Sequence, residues 1–131
     1  MSPRKQSRGV VAIEFALLLP VFLLLVLGMI DYGWYFFCDL SVSNAAREGA
    51  RAGTTVPSGD SQKAKATVLA YLQSAGLAPQ PTDVSVTIGA VPTSVTVDVS
   101  MHFKPLVGFV PLPSDGSGPL AHARAVMMGV P

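Results

Sequence analysis

Cysteine, histidine and charge are all scarce in this chain of 131 residues. Its single cysteine, Cys38, cannot form an intramolecular disulfide or a cysteine-rich metal site. We expect Cys38 to be buried as a small apolar residue rather than to pair with another subunit. The two histidines, His102 and His122, both lie on predicted strands, and a zinc site would need more ligands at suitable spacing. A nucleophile–histidine–acid set could be assembled from almost any sequence with this many serines, so it has no specificity. We therefore expect no cofactor and no enzymatic activity.

Charged residues make up only 13% of the chain, whereas half of its residues are hydrophobic. Ordinary soluble domains carry roughly 25% charged residues. The net charge of +1 and the lack of a basic stripe with interleaved aromatic residues argue against nucleic acid as a partner. The composition indicates that part of the chain lies in an apolar solvent.

The apolar residues are concentrated in one run, Val10–Ile30, in which Glu14 is the only charged residue. About 21 helical residues span roughly 30 Å, which is the thickness of the hydrocarbon core of a bilayer. Arg4, Lys5 and Arg8 precede the run, so the N-terminus is expected to stay in the cytoplasm. The sequence predicts a single membrane-spanning helix with the rest of the chain outside.

Two residues interrupt the apolar character of this run. Pro20 lacks an N–H group and is expected to kink the helix. Glu14 either lies close enough to the membrane surface to reach water or marks a function that needs a partner. A cleaved secretory signal is disfavoured, because the run is longer than usual and no small-residue cleavage site follows it.

The boundary before the run reads RGVVAIEF, from Arg8 to Phe15. It resembles the type IV prepilin signal, in which a short basic leader ends in glycine and glutamate stands fifth in the apolar run. The resemblance implies cleavage between Gly9 and Val10 by a prepilin peptidase. It also implies that Glu14, followed by the aromatic Phe15, meets the new N-terminal amine of a neighbouring subunit.

Three stretches together narrow the family: VVAIEFALLLP at Val10–Pro20, DYG at Asp31–Gly33, and NAAREGARAG at Asn44–Gly53. This combination resembles the TadE-like family, the pseudopilins of the tight-adherence (Flp) pilus, over about residues 8–53. The resemblance implies a bacterial protein of the cytoplasmic (inner) membrane. Its implied partners are other pilin-like subunits and the inner-membrane assembly platform, in a hetero-oligomer.

The segment after the run is expected to continue as a helix to about Ala52. Its aromatic residues Tyr32, Trp34 and Tyr35 fall at the outer membrane interface. A strip of small residues would allow close approach of another element, either from the chain's own head or from another subunit: Ala45, Ala46, Gly49, Ala50 and Gly53.

A further set on this helix forms a candidate interaction surface: Asn44, Arg47, Glu48, Gly49 and Arg51. Glu48 lies three residues before Arg51 and could pair with it. A simple solvated face is the alternative interpretation of these charges.

Beyond Gly53 the sequence predicts a helix over about Ser61 to Ala75, capped by Asp60 or Ser61. Alternating apolar residues then predict strands at Val84–Ile88 and Val95–Phe103, with a third at about Leu120–Met128. The apolar loop Leu106–Pro113 is expected to pack under the sheet edge, with a partner or the membrane surface as alternatives. The predicted fold is α+β, with a small antiparallel three-stranded sheet.

The predicted organisation has four parts. A basic leader (1–9) precedes the transmembrane helix (10–30), which continues as an exported helix (31–53) and ends in an α+β head (54–131). The favoured function is that of a minor pseudopilin in pilus biogenesis, priming or surface attachment. The alternative is an uncleaved, membrane-anchored binding module of the cell envelope.

Overall fold

The computed structural model describes residues 6–55, 58–90, 93–108 and 111–129. Two α-helices, α1 (Gln6–Gly53) and α2 (Ser61–Ser74), are followed by a 3₁₀ turn (Pro81–Asp83). Three strands complete the fold: β1 (Val84–Ala90), β2 (Thr93–His102) and β3 (Leu120–Met128). The predicted α+β architecture is confirmed.

Helix α1 is 48 residues long and continues through Pro20 without interruption. At about 1.5 Å per residue it extends over about 72 Å. Its side chains from Val10 to Leu25 are all exposed. In length and composition, this is the one helix among the described residues that could cross a membrane.

The second half of α1 forms the centre of the head rather than a stalk leading to it. It contributes five of the buried core side chains, namely Cys38, Val42, Ala45, Ala46 and Ala50. Helix α2 and the sheet supply most of the remainder: Ala64, Val68, Leu72, Val95, Val97, Val99, Met101 and Ala121. The head core therefore forms where the sheet and α2 pack on one face of α1.

Helix α2 is defined by caps at both ends. Asp60 accepts a hydrogen bond from the Lys63 backbone N–H at 2.9 Å, as its side chain was expected to do. At the other end Gly76 has a φ of +78°. There the Leu77 N–H donates to the Leu72 carbonyl at 3.0 Å, which is the Schellman arrangement that favours glycine.

The strands form one antiparallel sheet in the order β1-β2-β3. Central strand β2 aligns Val97 with Val86 on one side and with Ala125 on the other. Its alternate side chains Val95, Val97, Val99 and Met101 are buried against the helices, as the period of two predicted. Ile88 lies on the same face, opposite Val95, but is 37% exposed near the end of the edge strand.

The small residues of α1 face the chain's own head. A Cβ atom added at Gly49 would collide with Val68 Cγ2 and lie 3.1 Å from the Ala64 carbonyl oxygen. One added at Gly53 would lie 2.9 Å from Val95 Cγ1. Of the two alternatives open from the sequence, intramolecular packing therefore accounts for this strip.

We predict that Gly49→Ala destabilises the head by about 1–2 kcal/mol. Overpacking costs about 1–3 kcal/mol, and the better helix propensity of alanine returns up to about 1 kcal/mol. Val68 cannot easily rotate away, because a β-branched residue in a helix has one strongly preferred rotamer. Thermal unfolding of the full chain in detergent should show a lower midpoint.

The matched control for this experiment is Gly33→Ala. Gly33 lies on the same helix, but a Cβ atom there meets nothing within 4 Å. This variant should be at least as stable as the wild type. Equal stability of the two alanine variants would show that Gly49 is not in close contact with Val68 and Ala64 of α2.

Candidate assembly site

The N-terminal half of α1 presents an uninterrupted apolar surface with one acid. Phe15 and Phe22 are 64% and 61% exposed, and Glu14 lies among such residues about one turn after Val10. Among the described residues, no hydrogen bond or ion pair reaches the Glu14 side chain. A carboxyl group on a lipid-facing helix surface is costly, so this position is suited to a cationic group of another chain.

Asp31 follows the apolar run directly and is completely buried. Its Oδ1 atom accepts a hydrogen bond from the Val107 N–H at 2.8 Å and a longer one from the Gly108 N–H at 3.4 Å. Hydrogen bonds to backbone amides favour burial of a carboxylate, because they replace the water that it loses. Asp31 thus ties α1 to a segment 76 residues further along the chain.

We call this segment the strap and define it as residues 104–108 and 111–113. Two aromatic residues of α1 hold it in addition to Asp31. Trp34 Nε1 donates to the Lys104 carbonyl at 3.1 Å, and the Tyr32 hydroxyl is 3.4 Å from the Pro111 carbonyl. Three residues within one turn of α1, Asp31, Tyr32 and Trp34, therefore contact both described parts of the strap.

The strap carries exposed apolar side chains. Leu106 is 61% and Val107 43% exposed. The expectation that the loop packs under the sheet edge is wrong for these two residues, because both side chains are exposed and at Val107 the backbone amide faces α1 instead. Leu112 is half-buried, and Phe109 and Val110 of the predicted apolar loop lie outside the described residues.

The candidate interaction surface on α1 is divided by the helix geometry. Asn44, Arg47 and Arg51 are exposed, and Glu48 is partly exposed. Gly49 is buried against α2 and does not belong to this surface, because at about 100° per residue it points away from Arg47 and Arg51.

The predicted Glu48–Arg51 pair is confirmed. Arg51 Nε donates to Glu48 Oε2 at 3.0 Å, and a second nitrogen of the guanidinium donates to Oε1 at 2.5 Å. The hydrogen bond from Arg51 lowers the pKa of Glu48 below its ordinary value. Both side chains face solvent, so the pair adds little to stability.

Cys38 is fully buried in the head core, as the sequence predicted. Desolvation raises the pKa of its thiol to about 11. The thiolate is the form that exchanges disulfides. Intersubunit pairing through Cys38 would therefore require the core to open.

Each histidine has a different environment in the described part of the chain. His102 Nε2 lies 3.1 Å from the Asp115 carboxylate, and both side chains are exposed. His122 is exposed on β3. Among the described residues, no group of three histidine, cysteine, aspartate or glutamate side chains could hold a metal ion.

The residues predicted to act in processing and assembly all lie on the part of α1 that precedes the head. The Gly9–Val10 bond is near the first described turn of the helix, and Glu14, Phe15 and Pro20 follow within about 17 Å. The sequence did not reveal the strap contact. The one feature of the sequence that could have indicated this contact is a lone acid, Asp31, directly after an apolar run long enough to span a membrane.

Comparison with known families gives a match on helix α1. Residues 9–51 match the family model described as TadE-like protein. The match confirms the resemblance over most of α1, including Glu14, Asp31 and Arg47. The chain thus carries a TadE-like segment, which indicates a pilin-like protein associated with a tight-adherence pilus, and its long apolar helix fits a single-pass membrane anchor. Neither a curated protein nor a solved structure matches the chain.

We predict that Asp31→Ala releases the strap from α1. The Val107 and Gly108 amides lose their acceptor, and leaving a buried donor without a partner costs about 1–3 kcal/mol. Hydrogen exchange of these two amides should accelerate roughly tenfold or more, because local opening becomes easier. Exchange in strands β2 and β3 should change much less.

Asp39→Ala is the control, since Asp39 is a partly buried acid of the same helix two turns further on. It should leave exchange at Val107 and Gly108 unchanged. Wild-type protection of these amides in Asp31→Ala would show that the strap is held without the carboxylate.

Proposed function

We propose, from the TadE-like segment at residues 9–51, that this protein is a minor pseudopilin of a tight-adherence (Flp) pilus system. The observation that carries the proposal is the placement of that segment. Its N-terminal half is a free apolar helix surface with one acid, and its C-terminal half is the core of a folded head. An isolated membrane anchor would need neither the acid nor the continuous helix.

Processing by a prepilin peptidase between Gly9 and Val10 is the first step of this function. The bond lies close to the beginning of α1, and a Cβ atom at Gly9 would meet nothing within 4 Å. Helix ends fray, and glycine lowers helix stability by about 1 kcal/mol relative to alanine. The peptidase can therefore unwind this turn without disturbing the head.

Cleavage would create a new α-amino group on Val10. Glu14 of a neighbouring subunit is the natural partner for this cation, because each charge is costly in lipid and the pair costs less. Such a pair would also fix the axial register between subunits, a well-attested use of buried ion pairs. The exposed apolar surface around Phe15 would form the rest of that contact.

The head would remain outside the cytoplasmic membrane. Arg4, Lys5 and Arg8 favour retention of the N-terminus in the cytoplasm. The exposed residues Asn44 and Arg47 offer a polar contact surface on the outer part of α1. With this orientation the head can act in priming, tip formation or surface attachment, together with other pilin-like subunits and the inner-membrane assembly platform.

We predict that the protein isolated from its native membrane begins at Val10. N-terminal sequencing and intact mass should show this start, and a strain without the prepilin peptidase should retain the leader. Gly9→Val should block cleavage while leaving the head folded, because the added atoms meet open space.

Gly33→Val is the matched control, since a Cβ atom there also meets nothing within 4 Å. It should be processed normally. A wild-type chain that keeps Met1 in its native membrane would contradict the proposal and would favour the uncleaved, anchored binding module.

We also predict that Glu14→Gln is processed and inserted but assembles poorly. Removing one partner of a desolvated charge pair costs about 2–5 kcal/mol, so association should weaken by tenfold or more. Crosslinking to other pilin-like subunits and counts of assembled pili measure this effect. Asp39→Asn, which removes a negative charge from α1 outside both proposed contact surfaces, should assemble normally. Wild-type assembly by Glu14→Gln would exclude the pairing.

A further inference from the structure

The depth of the strap relative to the membrane follows from its contact with α1. The apolar run ends at Ile30, and the Val107 N–H lies 2.8 Å from the carboxylate of the next residue, Asp31. The polar headgroup layer extends about 5 to 7 Å beyond the hydrocarbon core on each side of a bilayer. When α1 spans a bilayer, the strap therefore lies within or against the outer headgroup layer.

The composition of the strap suits this layer. Leu106 and Val107 are exposed apolar side chains on a segment that the head itself does not cover. Lys104, also exposed, can extend its amine to lipid phosphates while its methylene groups lie along apolar surface. On the facing helix, Tyr32 and Trp34 are the residue types enriched at membrane interfaces.

Three polar groups of the strap backbone are directed toward α1. The Val107 and Gly108 amides bind Asp31, and the Lys104 carbonyl accepts the Trp34 Nε1–H. The segment can therefore turn apolar side chains outward without leaving these backbone groups to be desolvated by lipid. A loop that met only water would need no such arrangement.

We propose that the strap is a second membrane contact, in which Leu106 and Val107 enter the outer lipid interface beside the spanning helix. The inference goes beyond the pseudopilin function and requires only that α1 spans a bilayer. The spanning helix alone leaves the head free to tilt toward any side. The strap contact fixes which side of the head faces the membrane, and extraction of the subunit from the membrane must break it.

Nitroxide labels on single cysteines test this proposal in the full chain reconstituted into phosphatidylcholine–phosphatidylglycerol vesicles. The background carries Cys38→Ala, and the labels are placed at Val107→Cys, Leu24→Cys and Gln62→Cys in separate variants. Collision with oxygen, which concentrates in lipid, is compared with collision with a water-soluble nickel chelate. We expect the Val107 label to favour oxygen several-fold more than the Gln62 label does.

The two other positions separate the outcomes. Leu24 lies inside the apolar run, and Gln62 lies in the first turn of α2, near Gly53 at the far end of the head. If the Leu24 label favours oxygen but the Val107 label collides with the nickel chelate as often as the Gln62 label does, the strap proposal is overturned. The pseudopilin function is then left untouched. A Leu24 label in water would overturn both. A Val107 label shielded from both reagents would indicate contact with a second copy and would also overturn the lipid assignment.

Wild-type protein provides an independent measurement if a labelled variant does not fold. Trp34 is the only tryptophan of the chain, and it contacts the strap directly. Lipids brominated near the headgroup should quench its fluorescence more strongly than lipids brominated at the chain ends. Absence of quenching by either lipid would place the strap outside the membrane and refute the proposal.

Discussion

A single unbroken helix has to satisfy two different solvents, and the rest of the structure follows from this constraint. In lipid, backbone groups must be bonded within the segment, so the run Val10–Ile30 can only be helical there. The same helix continues into the head, where its small residues let α2 and the sheet approach closely. Gly49 and Gly53 matter because a continuous helix cannot bend away from the elements that pack on it.

The transition between the two solvents is the point at which polar groups become hardest to satisfy. Asp31 lies there and is buried, so its carboxylate depends on the strap amides in place of water. Trp34 adds a second hydrogen bond within one turn. These contacts join α1 to the strap, which connects strands β2 and β3. A displacement of α1 must therefore also displace the strap and these two strands.

The sequence predicted those features that depend on local periodicity. The switch from a period of 3.6 to a period of two located α2 and the three strands, and the candidate caps Asp60 and Ser61 located the beginning of α2. The sequence could not decide whether the strip of small residues on α1 faces the head or another subunit, because glycine permits close approach of either. The assignment of Gly49 to the interaction surface failed since adjacent positions in a motif point to different sides of a helix. The Asp31 contact has no sequence signature, because its donors are backbone amides of residues that any side chain could occupy.

Docking through backbone amides does not account for the apolar side chains of the strap. The hydrogen bonds that dock it use the backbone of Val107 and Gly108, so docking alone does not require leucine at position 106 or valine at position 107. Nor does the head core require them, because both side chains are largely exposed. Polar residues would be more soluble at these positions if the strap met only water. Their apolar character is therefore best explained by the environment they face, and at the depth set by Asp31 that environment is the lipid interface.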